Sequence, residues 1–300
     1  MRFRALRKGR SVSAVTLSLA HDLAPKAVAP LVAAALAAEI NAFELTTPDP
    51  RLSAELGGAL ANVDPLRRFV MLRIGGVYDA RGGARPRRDY SRAAVEGAVG
   101  EVRAAAGLDQ IDMAWIDDPQ PGEADGDSFA ALEGLRASGR VGMIGVSGAG
   151  PLVEAAVATG RLDVLVATYN LRSGWPQRHR LTAALAAGMS VVGERYLPDM
   201  RGPSDEKPTG MLGGLFKRRA APTPDAYGFL HRTPGWKADE LCLGYALTEP
   251  ALATVLVEAR TPEDMARLAA VPERDLPVAV AAQVEMARFS GEHTPGATRT

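Results

Sequence analysis

The sequence predicts an α/β fold, a (β/α)8 barrel, on three observations. Short apolar runs suited to buried strands alternate with alanine-rich helical patterns along the whole chain. Eight such pairs follow one another, and no G-x-G-x-x-G follows the first run to favour a doubly wound open sheet. A length of 300 residues also suits one such barrel, since these run to about 250 residues and beyond.

The elements are expected in this order. A strand at 14–19, overlapping the alternating Val12-Ser13-Ala14-Val15-Thr16-Leu17, precedes a helix at 25–38. Strands at 42–45, 69–74 and 110–116 precede helices at 54–62, 91–106 and 128–138. The strand at 141–146 runs into the glycine-flanked turn Gly145-Val146-Ser147-Gly148 and a helix at 151–159. A strand end of this kind is where a barrel of this class places its chemistry. Strands at 162–167, 189–193 and 253–257 pair with helices at 178–187, 237–247 and 262–270. The last of these opens with Thr261 as N-cap and Pro262 at the first helical position. A closing helix is expected at 277–289, giving one domain over 1–290 and a flexible tail over 291–300. Residues 198–236, rich in glycine and proline, interrupt the rhythm as a long loop.

Composition narrows the function classes. The chain carries 35 basic and 35 acidic side chains, so there is no concentrated positive charge for nucleic acid. The single cysteine, Cys242, excludes an internal disulfide and fits a reducing compartment; its apolar helical surroundings favour a core role. The N-terminal "MRFRALRKGR SVSAVTLSLA" has the outline of an export signal, but serine and threonine interrupt the apolar run and it alternates like a strand. No stretch approaches the roughly 20 apolar residues of a membrane span. A cytoplasmic protein is therefore expected, with no membrane or nucleic-acid partner. The four histidines are scattered and no metal-ligand spacing is present, so no metal is expected.

Six phrases, in order, carry a resemblance. They are "FRALRKGRSVSAVTL", "LAAEINAFELTT", "GLDQIDMAWIDDP", "LRASGRVGMIGVSG", "YNLR" and "ALTEPALATVLVEARTPEDM". Together they resemble the aldo-keto reductase superfamily along nearly the whole chain. The resemblance implies a (β/α)8 TIM barrel with an N-terminal β-hairpin, a long loop after strand 7 and a C-terminal helix. It also implies a catalytic tetrad of aspartate, tyrosine, lysine and histidine, and here the chain departs from the family. Those positions hold Glu44, Asp49, Arg73 and Asp117. An aspartate ionised at neutral pH has no proton to donate in place of a tyrosine, and an arginine keeps its proton where a lysine can tune it. The family's quartet is formally neutral, whereas these four sum to −2. An anionic pocket repels the alkoxide formed on hydride addition. No catalytic residue is expected.

For a nicotinamide cofactor, NADH or NADPH bound without turnover, the resemblance points to Ser147, Gly148, Arg195, Tyr196, Leu197, Arg260 and Thr261. The match is partial: Gly148 replaces an asparagine, Val166 a glutamine, and Glu194 a stacking aromatic, with Tyr196 close by. At the adenosine end Glu258, Asp264 and Leu268 replace a glycine, a glutamine and an asparagine, while Arg260 and Thr261 remain able to reach phosphate.

Three functional readings follow. The first is a degenerate reductase acting as a nucleotide-binding regulator of a partner protein; the overall look is similar to members that regulate cell division and a histidine kinase. Its expected partner surface lies in 198–236, where Met211, Leu212, Leu215 and Phe216 adjoin Lys217-Arg218-Arg219. The second is an enzyme of altered chemistry, a lyase or hydrolase using Glu44, Asp49 and Asp117 as converging carboxylates, set against an Arg73-centred ion-pair network that merely fills the site. The third keeps NAD(P)H-dependent oxidoreductase activity through Tyr78 or Tyr90 as a replacement acid.

Overall fold

The computed structural model describes residues 1–77, 87–198 and 227–292. Eight parallel strands close into a barrel: β1 (Val15–Leu19), β2 (Ala42–Leu45), β3 (Phe69–Ile74), β4 (Ile111–Ile116), β5 (Val141–Ser147), β6 (Val164–Thr168), β7 (Ser190–Glu194) and β8 (Leu252–Glu258). Strand β8 closes the ring by pairing with β1, Val255 against Val15 and Leu256 against Thr16. The helices between strands are α1 (Val28–Ala37), α2 (Pro50–Leu60), α3 (Arg92–Ala106), α4 (Gly126–Ala137), α5 (Pro151–Ala158), α6 (Trp175–Ala186) and α7 (Ala238–Leu247). After β8 come α8 (Pro262–Ala269) and a final helix α9 (Val278–Glu292). Helix α9 runs through 291 and 292, where the tail was expected to begin; 293–300 lie outside the described residues.

Side chains alternate across each strand, so the barrel has two cores. Outward residues such as Leu17, Phe43, Leu45, Leu72, Ile116 and Ile144 pack under the helices. Inward residues Ala42, Phe69, Met71, Met113, Trp115, Met143, Val166 and Val192 fill the interior. An antiparallel hairpin of Phe3–Ala5 with Ser11–Ser13 caps the N-terminal end. Its Leu6 and Val12 join the interior cluster, and Arg4 donates to the carbonyls of Leu247 and Leu252 at 2.7 and 2.6 Å. With that end plugged, the C-terminal ends of the strands hold the open mouth.

Two helices begin earlier than their apolar periodicity suggests. Helix α2 starts at Pro50, not 54, and α6 starts at Trp175, not 178. Each carries proline in its first turn, where the missing N–H costs no intrahelical hydrogen bond. In α2 the cap is Asp49, whose carboxylate accepts the N–H groups of Arg51 and Leu52.

Helices α2 and α3 approach so closely that a Cβ on Gly57 would lie 2.1 Å from the Ala106 carbonyl oxygen. Gly57→Ala is expected to destabilise the protein by about 1–3 kcal/mol through overpacking. Gly97→Ala, in α3 where an added methyl meets nothing within 4 Å, is expected to stabilise by up to about 1 kcal/mol. Urea unfolding of the two variants checks both signs.

Candidate functional site

The alternation that fills the interior also decides what reaches the mouth. Continuing the inward rows upward, Ala42 leads to Glu44, Met71 to Arg73, Trp115 to Asp117, Met143 to Ser147, and Val192 to Glu194. These residues converge from five strands. Arg73 stands at the centre, its guanidinium 5.5 Å above the Trp115 ring. Its Nε donates to Glu44 Oε1 at 2.9 Å, its Nη1 to Asp117 Oδ1 at 3.0 Å, and its Nη2 lies 3.0 Å from Glu194 Oε2. The Ser18 hydroxyl donates to Glu44 Oε2. Ser147 donates to Asp117 Oδ1 at 2.7 Å and accepts the Asp118 N–H at 2.9 Å.

One guanidinium among three carboxylates leaves two formal negative charges when all are ionised. Burial works against the charge on Arg73, but the carboxylates, Glu44 foremost, hold its pKa far above that of a free guanidinium. Glu194 moves the other way. Burial, together with Asp117 and Glu44, raises its pKa above the ordinary 4.5, and Arg73 and Arg195 offset this only in part.

Above the network opens a cavity of about 470 Å³. Arg73, Asp117, Glu194 and Glu258 line it together with Ser18, His21, Thr46, Arg195, Tyr196, Leu197 and Leu256. Glu44 and Asp117 thus meet as expected, but around Arg73 and in company with Glu194, which had been aligned only as a lost aromatic. The acid at the end of "VVGE" shares the inward row of Val192, and that row was its signal. His21, one of the four scattered histidines, lines the cavity.

Asp49 does not join this group. Its carboxylate caps α2 and pairs with Arg51 at 3.0 Å, so the expected convergence of Glu44, Asp49 and Asp117 is corrected to Glu44, Asp117 and Glu194. Although partial burial opposes it, the Arg51 side chain and the backbone N–H groups of Arg51 and Leu52 keep the Asp49 carboxyl below its ordinary range. Tyr90, considered as a replacement acid, is buried against Gly75 and donates its hydroxyl proton to the Asp117 carbonyl. Burial pushes its pKa up to about 12, away from a working acid. Tyr78 lies outside the described residues.

The residues proposed for a nicotinamide cofactor are largely committed to the chain itself. Ser147 is fully buried between Asp117 and Asp118. Gly148 has φ of +104°, and a Cβ there would lie 2.3 Å from Asp118 Oδ1. The stacking position is Glu194, held on Arg73. Tyr196 lines the cavity but is buried, and burial with Asp239 nearby raises its hydroxyl pKa. Arg260 pairs with Asp22 through both terminal nitrogens, at 2.8 and 3.2 Å, and Thr261 caps α8 by accepting the Asp264 N–H. Arg195, at φ +52°, and Leu197 remain exposed at the rim. The residues present therefore do not fit the nicotinamide end of a dinucleotide.

Of the expected partner surface, residues 227–236 are described. Residues 227–236 contain a 3-10 turn at Gly228–His231 whose Phe229 and Leu230 are buried, and Trp236 lies under Arg274 at 3.7 Å. Met211, Leu212, Leu215, Phe216 and Lys217–Arg219 lie outside the described residues. Cys242 is buried in α7. Among the described residues no group of three or more His, Cys, Asp or Glu is placed to hold a metal ion, and no helix is long and apolar enough to cross a membrane.

Comparison with known proteins agrees with the fold. The model of the aldo/keto reductase family matches residues 54–288. Among solved structures, the chain is similar to the aldo-keto reductase AKR11C1 from Bacillus halodurans in its holo form. The TM-score is 0.75 at 18% identity, over 96% of each chain. It is also similar to the glycerol dehydrogenase AKR11B4 from Gluconobacter oxydans, with a TM-score of 0.73 at 18% identity over 99% of this chain and 97% of that one. At that identity the likeness shows the fold. A search of curated proteins finds no match.

Arg73→Met is expected to destabilise the protein by about 3–5 kcal/mol, because it leaves buried carboxylates uncompensated. Glu194→Gln is expected to cost far less, and its stability relative to the parent protein should improve as pH rises. The sign follows from the raised pKa of Glu194: above 4.5 the folded state holds that proton more tightly than the unfolded chain, so ionisation opposes folding until the pH passes the folded value. Urea titrations of both variants across this pH range check the order and the slope.

Proposed function

The chain belongs to the aldo/keto reductase family, and we propose that this member does not reduce carbonyls but acts by binding, as a ligand-responsive regulator of a partner protein. The observation that carries this reading is the Arg73 network. Carbonyl reduction needs a proton donor beside the accepting oxygen and stabilisation of the developing alkoxide. The tyrosine position is a helix cap, the lysine position is a guanidinium locked on three carboxylates, and the site's excess charge is negative. Each feature opposes formation of an alkoxide. Members of this family generally bind NAD(P)H, and binding without turnover is the expectation drawn from the resemblance. The committed states of Ser147, Glu194 and Arg260 favour a different ligand for the mouth. A role in cell division or kinase control belongs to the same proposal and rests on the resemblance alone.

The test is turnover. Saturating NADH or NADPH with a panel of aldehydes and ketones is expected to show no consumption of the dihydronicotinamide above the protein-free rate. Steady consumption, particularly if lost in His21→Ala, would overturn the reading in favour of a replacement acid in the cavity. Asp49→Tyr, which puts the family's residue back, is expected to bring no activity and to lower stability by about 1 kcal/mol through loss of the α2 cap.

A further inference from the structure

We infer that the hairpin end of the barrel, opposite the mouth, docks an extended acidic segment of a partner protein, added as a third strand against Phe3–Ala5. This rests on the reading that the chain acts through a partner, and it names the surface and the chemistry of that partner. A free strand edge, arginines without carboxylates and an acid-free groove lead to it.

The strand edge follows from register. In an antiparallel pair, opposed residues alternate between those that exchange hydrogen bonds and those whose backbone groups point outward. The Arg2 carbonyl accepts the Ala14 N–H at 2.9 Å, and the Leu6 N–H donates to the Arg10 carbonyl at 2.7 Å. Arg4 opposite Val12 completes the bonding set, so Phe3 and Ala5 direct their N–H and C=O groups away from Ser11–Ser13. On the other strand, Asn41 takes the outward Ser13 N–H and Ser11 carbonyl. Phe3 and Ala5 are exposed, and their outward groups take no hydrogen bond among the described residues. Such an edge is a template for an incoming strand.

Charge selects what pairs there. No acid precedes Asp22 in the chain, while Arg2, Arg4, Arg7, Lys8 and Arg10 all do. Arg10 pairs with Asp112, and the terminal amine with Glu39 and Glu273. Arg2, Arg4 and Arg7 form no ion pair among the described residues. Carbonyls, with only partial charge, hold Arg4 in place, and burial together with Arg2 lowers its pKa below that of a free guanidinium. Arg4 and Arg7 line a groove of about 690 Å³ with Ala5, Leu185, Met189 and Ala251, and no Asp or Glu lines it. Leu185 is 45% exposed there. Carboxylates alternating with apolar side chains satisfy both the arginines and the aliphatic wall. A phosphodiester backbone offers the edge no strand partner, and three arginines are few for nucleic acid.

Amide spectra of the isotope-labelled full chain test the inference, titrated to millimolar concentration with acetyl-Val-Glu-Val-Asp-Val-amide or acetyl-Val-Lys-Val-Lys-Val-amide. The acidic peptide is expected to shift the Phe3, Ala5 and Arg7 amides saturably. It should bind about tenfold more tightly than the basic one, and less tightly as salt is added. Arg7→Glu, at an exposed position, and Ala5→Pro, which removes only an outward N–H, are each expected to weaken that binding about fivefold. Equal response to the two peptides, no shift by either, or shifts confined to the barrel mouth would overturn it. So would a short DNA duplex that shifts the same amides at lower concentration than the acidic peptide. The comparison of peptides uses the unmodified protein and stands even if a variant folds poorly. Aldehyde turnover overturns the earlier reading without moving these amides, and peptide binding decides only this one.

Discussion

A single guanidinium sets the terms for the whole mouth of this barrel. Arg73 projects from β3 into a space enclosed by Glu44, Asp117 and Glu194, and each of its three nitrogens faces a different carboxylate. In a buried setting the guanidinium cannot be removed without leaving its carboxylates uncompensated. The surrounding hydroxyls follow from it: Ser18 serves Glu44 and Ser147 serves Asp117. The residues that would otherwise greet a cofactor are thereby held by their neighbours. An arginine in place of a lysine does more than keep a charge, because its planar fork can hold several acceptors at once.

The barrel makes that convergence possible without any long-range design of loops. Parallel strands bring every second side chain inward, and strand ends that differ widely in sequence position arrive at one layer. Below that layer the interior is apolar, with Trp115 directly beneath the guanidinium. The hairpin plugs the far end. The ion network therefore has one open side, where the cavity lies, and the same closure that protects it gives the cavity its unbalanced charge. Family membership accounts for the frame, while the chemistry of the mouth depends on Arg73 and the three carboxylates around it.

Much of the frame was legible from periodicity, because strands buried on both faces write continuous apolar runs and their boundaries moved by no more than two residues. Helix starts were less legible. Apolar spacing shows where a helix packs, whereas Asp49-Pro50 and Gly174-Trp175-Pro176 show where it begins, and capping is a hydrogen-bond property that hydrophobicity does not record. The site was half legible. Positional comparison found Glu44, Arg73 and Asp117, yet it also placed Asp49 among them. Alignment by chain position carries no information about the direction in which a side chain points.

Taken alone, the sequence determined the barrel and the alternation of its elements, since these depend on residue type and spacing along the chain. Only the tertiary structure decided which acids share Arg73. That choice turns on strand register and on the inward or outward row of each position, quantities that exist only once eight strands have closed on one another. It removed Asp49 to a helix cap, brought Glu194 in from a strand 121 positions further on than Arg73 in the numbering, and placed Asp117 and Glu194 in the cavity wall. Electrostatic interaction depends on distance through space, and closure of the barrel is what sets those distances here.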